Sequence, residues 1–119
     1  FGGGIMGDCL FCKIVSGEMD TDFVYSDDKV VAFEDINPQA PVHLLIVPRT
    51  HIEDLNQLED SDGDLIAHIY QIAKKLAAEK DIAESGYRIV SNCGVDGGQT
   101  VYHIHFHLLG GRQLQWPPG

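Results

Sequence analysis

His103-Ile104-His105-Phe106-His107-Leu108 is the stretch that decides the fold. Polar and apolar residues alternate without a break, and successive side chains of a strand point to opposite faces, so the segment reads as a half-buried strand. His103, His105 and His107 then share one face, while Ile104, Phe106 and Leu108 turn to the core. Gly97-Gly98-Gln99-Thr100 precedes this strand and Gly110-Gly111-Arg112 follows it. Such glycine-rich turns expose backbone amides to close approach by an anion. An isolated histidine on a strand is usually a satisfied polar group, but three on one face crowd rings that repel when protonated. The spacing therefore points to metal binding or to nucleophilic and acid–base catalysis, with phosphate as the fitting substrate group.

Upstream, the periodicity predicts the remaining elements. Leu10, Phe11, Ile14 and Val15 have helical spacing, and Ser16-Gly17 stops that helix after about two turns. Phe23 to Tyr25 and Val30 to Phe33 read as a hairpin turning at Ser26-Asp27-Asp28, and His43 to Val47 as a short buried strand ended by Pro48. Between them, Asn37-Pro38-Gln39-Ala40-Pro41 is a loop. Leu65, Ile66, Ile69, Ile72, Ala73, Leu76 and Ala77 form one stripe of a helix of about 20 residues, begun near Ser61 with Asp64 as a capping-box partner. His68 on this helix is expected at an exposed or interface position. Tyr87 to Val90 is a further strand, and Gln113 to Gly119 a tail lying over a surface. Strands with two segregated helices predict an antiparallel α+β domain over residues 6–119. Phe1 to Ile5, glycine-rich and ahead of Met6, are expected to be an expression remnant.

Composition narrows the function. The 119 residues carry 18 acidic and 8 basic side chains, a formal net charge of −10. A nucleic-acid polymer needs a basic footprint, so any nucleotide bound here is expected to be small and locally gripped. No stretch approaches the roughly 20 apolar residues of a membrane span, and three cysteines fit a reducing, cytoplasmic compartment better than a disulfide framework.

The histidine run, together with Asp35-Ile36-Asn37-Pro38-Gln39-Ala40-Pro41-Val42-His43, Gly97-Gly98-Gln99-Thr100-Val101-Tyr102, Gly110-Gly111-Arg112 and Trp116-Pro117-Pro118-Gly119, resembles the histidine-triad superfamily and its Hint branch of nucleotide-binding proteins. The similarity spans nearly the whole chain from Cys9. It implies an antiparallel sheet of about five strands extended across a homodimer, and hydrolysis of purine nucleoside phosphoramidates. By this resemblance His105 is the nucleophile, forming a nucleotidyl-histidine that water then cleaves. His107 binds the phosphate oxygens, and His43 and His103 orient the active ring and pass protons. Asp35 accepts from the ribose hydroxyls. Leu10, Phe11, Ile14, Phe33 and Ile36 form the base pocket, although spacing alone reads all five as core. Asn92, Gly98, Gln99 and Thr100 contact the phosphate and leaving group, and Trp116 reaches the partner subunit's site.

Cys9-x-x-Cys12 departs from animal Hint proteins. With His51 and His103 it resembles the structural zinc site of some bacterial histidine-triad proteins, whereas taken alone the pair is equally compatible with an incidental or redox role. If zinc is bound, His103 is a ligand and is not free to carry protons. Cys93 reads as a spectator. Two other functions fit the same residues: hydrolysis of dinucleoside polyphosphates, and a non-catalytic purine nucleotide sensor or scaffold.

Overall fold

A computed structural model describes residues 9–119; the expected remnant at residues 1–5 lies outside them. Helix α1 (Leu10–Ser16) opens the described chain, with Cys9 as its cap and Gly17 at φ 87° closing it in the left-handed region that only glycine adopts without strain. Five strands follow: β1 (Tyr25–Ser26), β2 (Val30–Glu34), β3 (Val42–Pro48), β4 (Tyr87–Val90) and β5 (Phe106–Gly110). Helix α2 (Gly63–Glu79) separates β3 from β4. All neighbouring strands pair antiparallel, in the order β1-β2-β3-β5-β4. The α+β architecture is as expected.

Strand alternation divides the sheet into two faces with different tasks. On one face Val30, Ala32, Leu44, Ile46, Phe106 and Leu108 are buried against the α2 stripe of Ile69, Ile72, Ala73, Leu76 and Ala77. Each fully buried Leu or Ile there contributes about 1.5–3 kcal/mol relative to exposure. On the other face α1 covers only one side, packing Phe11 and Ile14 over Val31, Phe33, Leu45 and Val47. The remainder of that face, where His43, His107, Leu109 and Arg88 project, is not covered by a helix.

Two details differ from expectation. The long helix begins at Gly63, and the capping box closes the preceding 3₁₀ turn (Asp60–Asp62) between Glu59 and Asp62 rather than between Ser61 and Asp64. The histidine strand starts only at Phe106. Ladder pairing with β3 ends at Ile46 opposite Phe106, and the chain before it is drawn away by a bond from the Ile104 amide to the Ile52 carbonyl at 2.6 Å. No helix among the described residues is long and apolar enough to cross a membrane.

Candidate active site and metal centre

The three histidines of the run divide between two centres. His103 faces α1. Its Nδ1 lies 3.3 Å from Cys9 Sγ, 3.4 Å from Cys12 Sγ and 3.2 Å from His51 Nδ1, while Cys12 Sγ is 3.2 Å from His51 Nδ1. A tetrahedral zinc with two thiolates and two imidazoles has donor–donor edges of roughly 3.3–3.8 Å, so these four atoms surround the volume such an ion needs. Nε2 of His103 donates to the Pro48 carbonyl at 2.8 Å, which fixes the proton there and turns the Nδ1 lone pair toward the other donors. Burial and the neighbouring Cys9 push the Cys12 thiol up to about 12, so a divalent cation, which favours the thiolate, would bind with proton release. Cys9, Cys12, His51 and His103 thus have the donor set of a closed structural zinc site. The expected proton-carrying role of the His103 ring does not fit this placement.

What His103 gives to His105 is its backbone. His105 Nδ1 lies 2.8 Å from the His103 carbonyl oxygen. A carbonyl can only accept, so the ring proton sits on Nδ1 and Nε2 carries an available lone pair. The buried ring meets the edge of Phe11, centroids 4.9 Å apart at 90°. Burial lowers the pKa of His105 and outweighs the opposing effects of the His103 carbonyl and Asp35, keeping the ring neutral.

His43 and His107 form a second chain with a fixed direction. The Gln39 amide, which can only donate, lies 3.0 Å from His43 Nδ1. Neutral His43 therefore carries its proton on Nε2, 2.9 Å from His107 Nδ1 and 3.4 Å from Asp35 Oδ2. Accepting at Nδ1 leaves His107 protonated on Nε2, with no partner for that hydrogen among the described residues. Burial first, then the neighbouring His105 and His43, lower the His107 pKa to about 4. One ring presents a lone pair and its neighbour, with centroids 5.2 Å apart, presents a hydrogen. Asp35, His43 and His107 also bring three ligand atoms together, but His43 would have to coordinate while its other nitrogen faces a donor. Metal-bound histidines donate from that nitrogen, so this cluster is polar machinery and not a cation site.

Other expected contacts come out differently. Phe11, Ile14 and Phe33 are core residues, whereas Leu10 is 42% and Ile36 fully exposed, so of the five residues expected to hold a base two present surface and three lie beneath it. Asp35 accepts from the Asn37 amide through Oδ1, steadying its loop. The amides of Gly98 and Gln99 are not bare: they bond Val95 and Gly94 carbonyls within the turn. The Gln99 side chain is buried, receiving the Gly94 amide and donating to the Glu53 and Val101 carbonyls. It braces the turn and has no amide hydrogen left for phosphate. Thr100 is exposed beside it. Asn92 and Trp116 line a groove of about 770 Å³ between β4 and the C-terminal tail. Sequence reasoning missed Ser91, whose hydroxyl donates to the His105 carbonyl at 3.0 Å, and the Asp27 pairing of His68 at 2.6 Å; neither carries a local pattern.

The HIT domain family matches residues 16–114, a range that includes all five strands and His43, His103, His105 and His107. The chain belongs to the HIT family. An uncharacterized HIT-like protein of Synechococcus elongatus is 48% identical over 112 residues, covering 94% of this chain and 97% of its own. A 14 kDa zinc-binding protein of Zea mays is 46% identical over 112 residues, covering 92% and 87%. The crystal structure of a HIT family hydrolase from Legionella pneumophila Philadelphia 1 superposes with a TM-score of 0.92 at 55% identity, covering 93% of this chain and 99% of that one. The HIT fold and the Cys-x-x-Cys pair of this protein thus agree with what its sequence motifs imply.

Proposed function

We propose that this HIT protein hydrolyses purine nucleoside phosphoramidates to the nucleoside monophosphate and an amine. The observation that carries the reading is the opposed tautomers of His105 and His107. The Nε2 lone pair of His105 attacks phosphorus as the P–N bond breaks, and the amine leaves with a proton. Water then cleaves the nucleotidyl-histidine, so that phosphoramidate monoanion plus water gives the nucleoside monophosphate dianion and an ammonium ion. The Nε2 hydrogen of His107 stabilises the non-bridging oxygens as charge moves onto them. Asp35 retains acceptor capacity for the ribose hydroxyls, and Leu10 and Ile36 supply apolar surface for a purine. Zinc at Cys9, Cys12, His51 and His103 ties α1 to the segment that positions His105, with a structural role only; the zinc-binding relative and the hydrolase neighbour support both parts of the reading. The protein is proposed to pair with a second copy along the outer edge of β4, which bonds only β5 among the described residues.

The test is hydrolysis of adenosine 5′-phosphoramidate by the wild type and by His105→Ala, with intact-mass analysis during turnover. AMP release, its loss in the variant and a transient nucleotidyl adduct are expected. Nucleotide binding without turnover of adenosine or guanosine substrates would overturn the activity.

A further inference from the structure

We infer that Cys9 and Cys12 form a redox switch: a hydroperoxide joins them in a disulfide, the metal centre gives up its ion, and the ring of His105 loses its orientation. The effect on turnover rests on the phosphoramidase reading, whereas the loss of the ion does not. The two thiols are arranged for such a step. Cys9 is buried and Cys12, three residues on, is half-buried, so a peroxide meets Cys12 first. Cys9 stands directly behind it: the ligand atoms of the site all lie within 4.8 Å of one another, and the Cys12 amide donates to Cys9 Sγ at 3.2 Å. Cys93, the third thiol, lies outside this cluster. The thiolate that a divalent cation favours is also the nucleophilic form of sulfur, and a half-exposed thiolate beside a second cysteine is the arrangement in which oxidation stops at a reversible disulfide.

Cys12 Sγ attacks one peroxide oxygen, the O–O bond breaks and hydroxide leaves, giving a sulfenic acid. Cys9 Sγ then attacks Cys12 Sγ, the S–O bond breaks and a second hydroxide leaves. In sum, two thiolates, one hydrogen peroxide and two protons give a disulfide and two waters, with two electrons passing from sulfur to peroxide. Both anionic donors vanish, and His51 and His103 alone do not close a tetrahedral site. The exchange replaces long-range ties with a local one. Through the ion, Cys9 and Cys12 are held to His103, 94 and 91 positions away, and Cys12 to His51, 39 away; the disulfide spans three. Helix α1 has seven residues, well below the roughly 12–15 at which an isolated helix becomes even marginally stable. Only the packing of Phe11, Ile14 and their neighbours and the Arg49 bond to the Val15 carbonyl then retain it. Phe11 is also the contact that reaches the two histidines, at 4.9 Å from the His105 ring and 6.1 Å from that of His103. Loosening α1 therefore frees His105 at its ring and, through His103, at the carbonyl that fixes its proton.

The experiment treats zinc-loaded Cys93→Ser, in which the pair supplies the only thiols, with hydrogen peroxide. A chromogenic chelator should report about one ion released per Cys9–Cys12 link found by peptide mapping, and the melting temperature should fall. AMP release from adenosine 5′-phosphoramidate should slow about ten-fold, the low end of the cost of losing a group that orients a functional ring. A dithiol reductant with added zinc should restore all of these, and lack of recovery would make the oxidation damage and not a switch. Release of the ion without the link, or the link with the ion retained, would overturn the inference. So would unchanged hydrolysis by the oxidised, ion-free protein, an outcome that leaves the phosphoramidase reading standing. If the reduced protein cleaves no phosphoramidate, that reading fails by itself, and the His105 Nδ1–H resonance decides the inference: its loss on oxidation supports the coupling and its persistence refutes it.

Discussion

Nε2 of His103 lies 2.8 Å from the carbonyl oxygen of Pro48, while the carbonyl of the same histidine holds the ring of His105. One residue thus belongs to two centres, through its ring to the metal site and through its backbone to the proposed nucleophile.

Metal loss should therefore damage both stability and geometry. Cys12→Ala is expected to reduce zinc from one per chain to near zero by elemental analysis. With the ion gone, stability should fall, by less than the roughly 10–16 kcal/mol that zinc contributes to zinc-finger peptides, since the sheet core remains. Full zinc content in the variant would show that Cys12 is not a ligand.

His43→Ala should release His107 from its tautomer. The turnover number is expected to fall about 10–100-fold, the usual cost of losing a group that orients a functional ring. In the wild type, long-range proton–nitrogen correlation spectra should place the His107 hydrogen on Nε2, and in the variant on both nitrogens. A wild-type proton on Nδ1 would refute the chain of donors that begins at Gln39.

The pH dependence has a definite sign. The pKa of His107 falls to about 4 in the folded chain, against about 6.5 when unfolded, and those of His43 and His105 are lowered as well. Between these values the unfolded state binds more protons. These rings thus contribute stability that is fully present above about pH 6.5 and is lost as pH falls through the folded values. The melting temperature should fall from pH 6.5 toward 4, by less in His107→Gln. Activity should stay level from pH 8 to 6.5, and an acid limb centred at or above 6.5 would contradict neutral buried rings.

Gln99→Ala should strand the Gly94 amide and the carbonyls of Glu53 and Val101. With partial rescue by water, about 3 kcal/mol of destabilisation is expected in urea unfolding. In the same turn Gly97→Ala would set a Cβ 2.3 Å from the Cys93 carbonyl oxygen, a backbone clash that only rearrangement of the turn relieves. A change within 0.5 kcal/mol for Gln99→Ala would mean that the side chain is not the brace described.

The parts of the molecule legible in sequence are those governed by local periodicity. Alternation located Tyr87–Val90 without error and sorted Phe106 and Leu108 to the α2 face. The 3.6-residue stripe identified α2. What escaped depends on partners distant along the chain. Ile104 bonds Ile52 and so pulls His103 and His105 off the ladder, and Gln99 turns inward because Glu53 offers a carbonyl there. Leu10 and Phe11 are neighbours with the same helical credentials, yet one is exposed and the other buried, since a seven-residue helix can cover only part of a sheet face. Likewise, nothing near His68 in sequence announces Asp27, which is 41 residues away.

The direction of the hydrogen bonds through His43 and His107 begins at a main-chain N–H, that of Gln39. Every amino acid except proline carries that hydrogen, so drift at position 39 can alter size, charge or polarity without reversing the order of donors and acceptors downstream. The handedness of the proton arrangement is inherited from the path of the chain and not from a side chain that selection must guard. Only loss of the amide itself, as in Gln39→Pro, erases it.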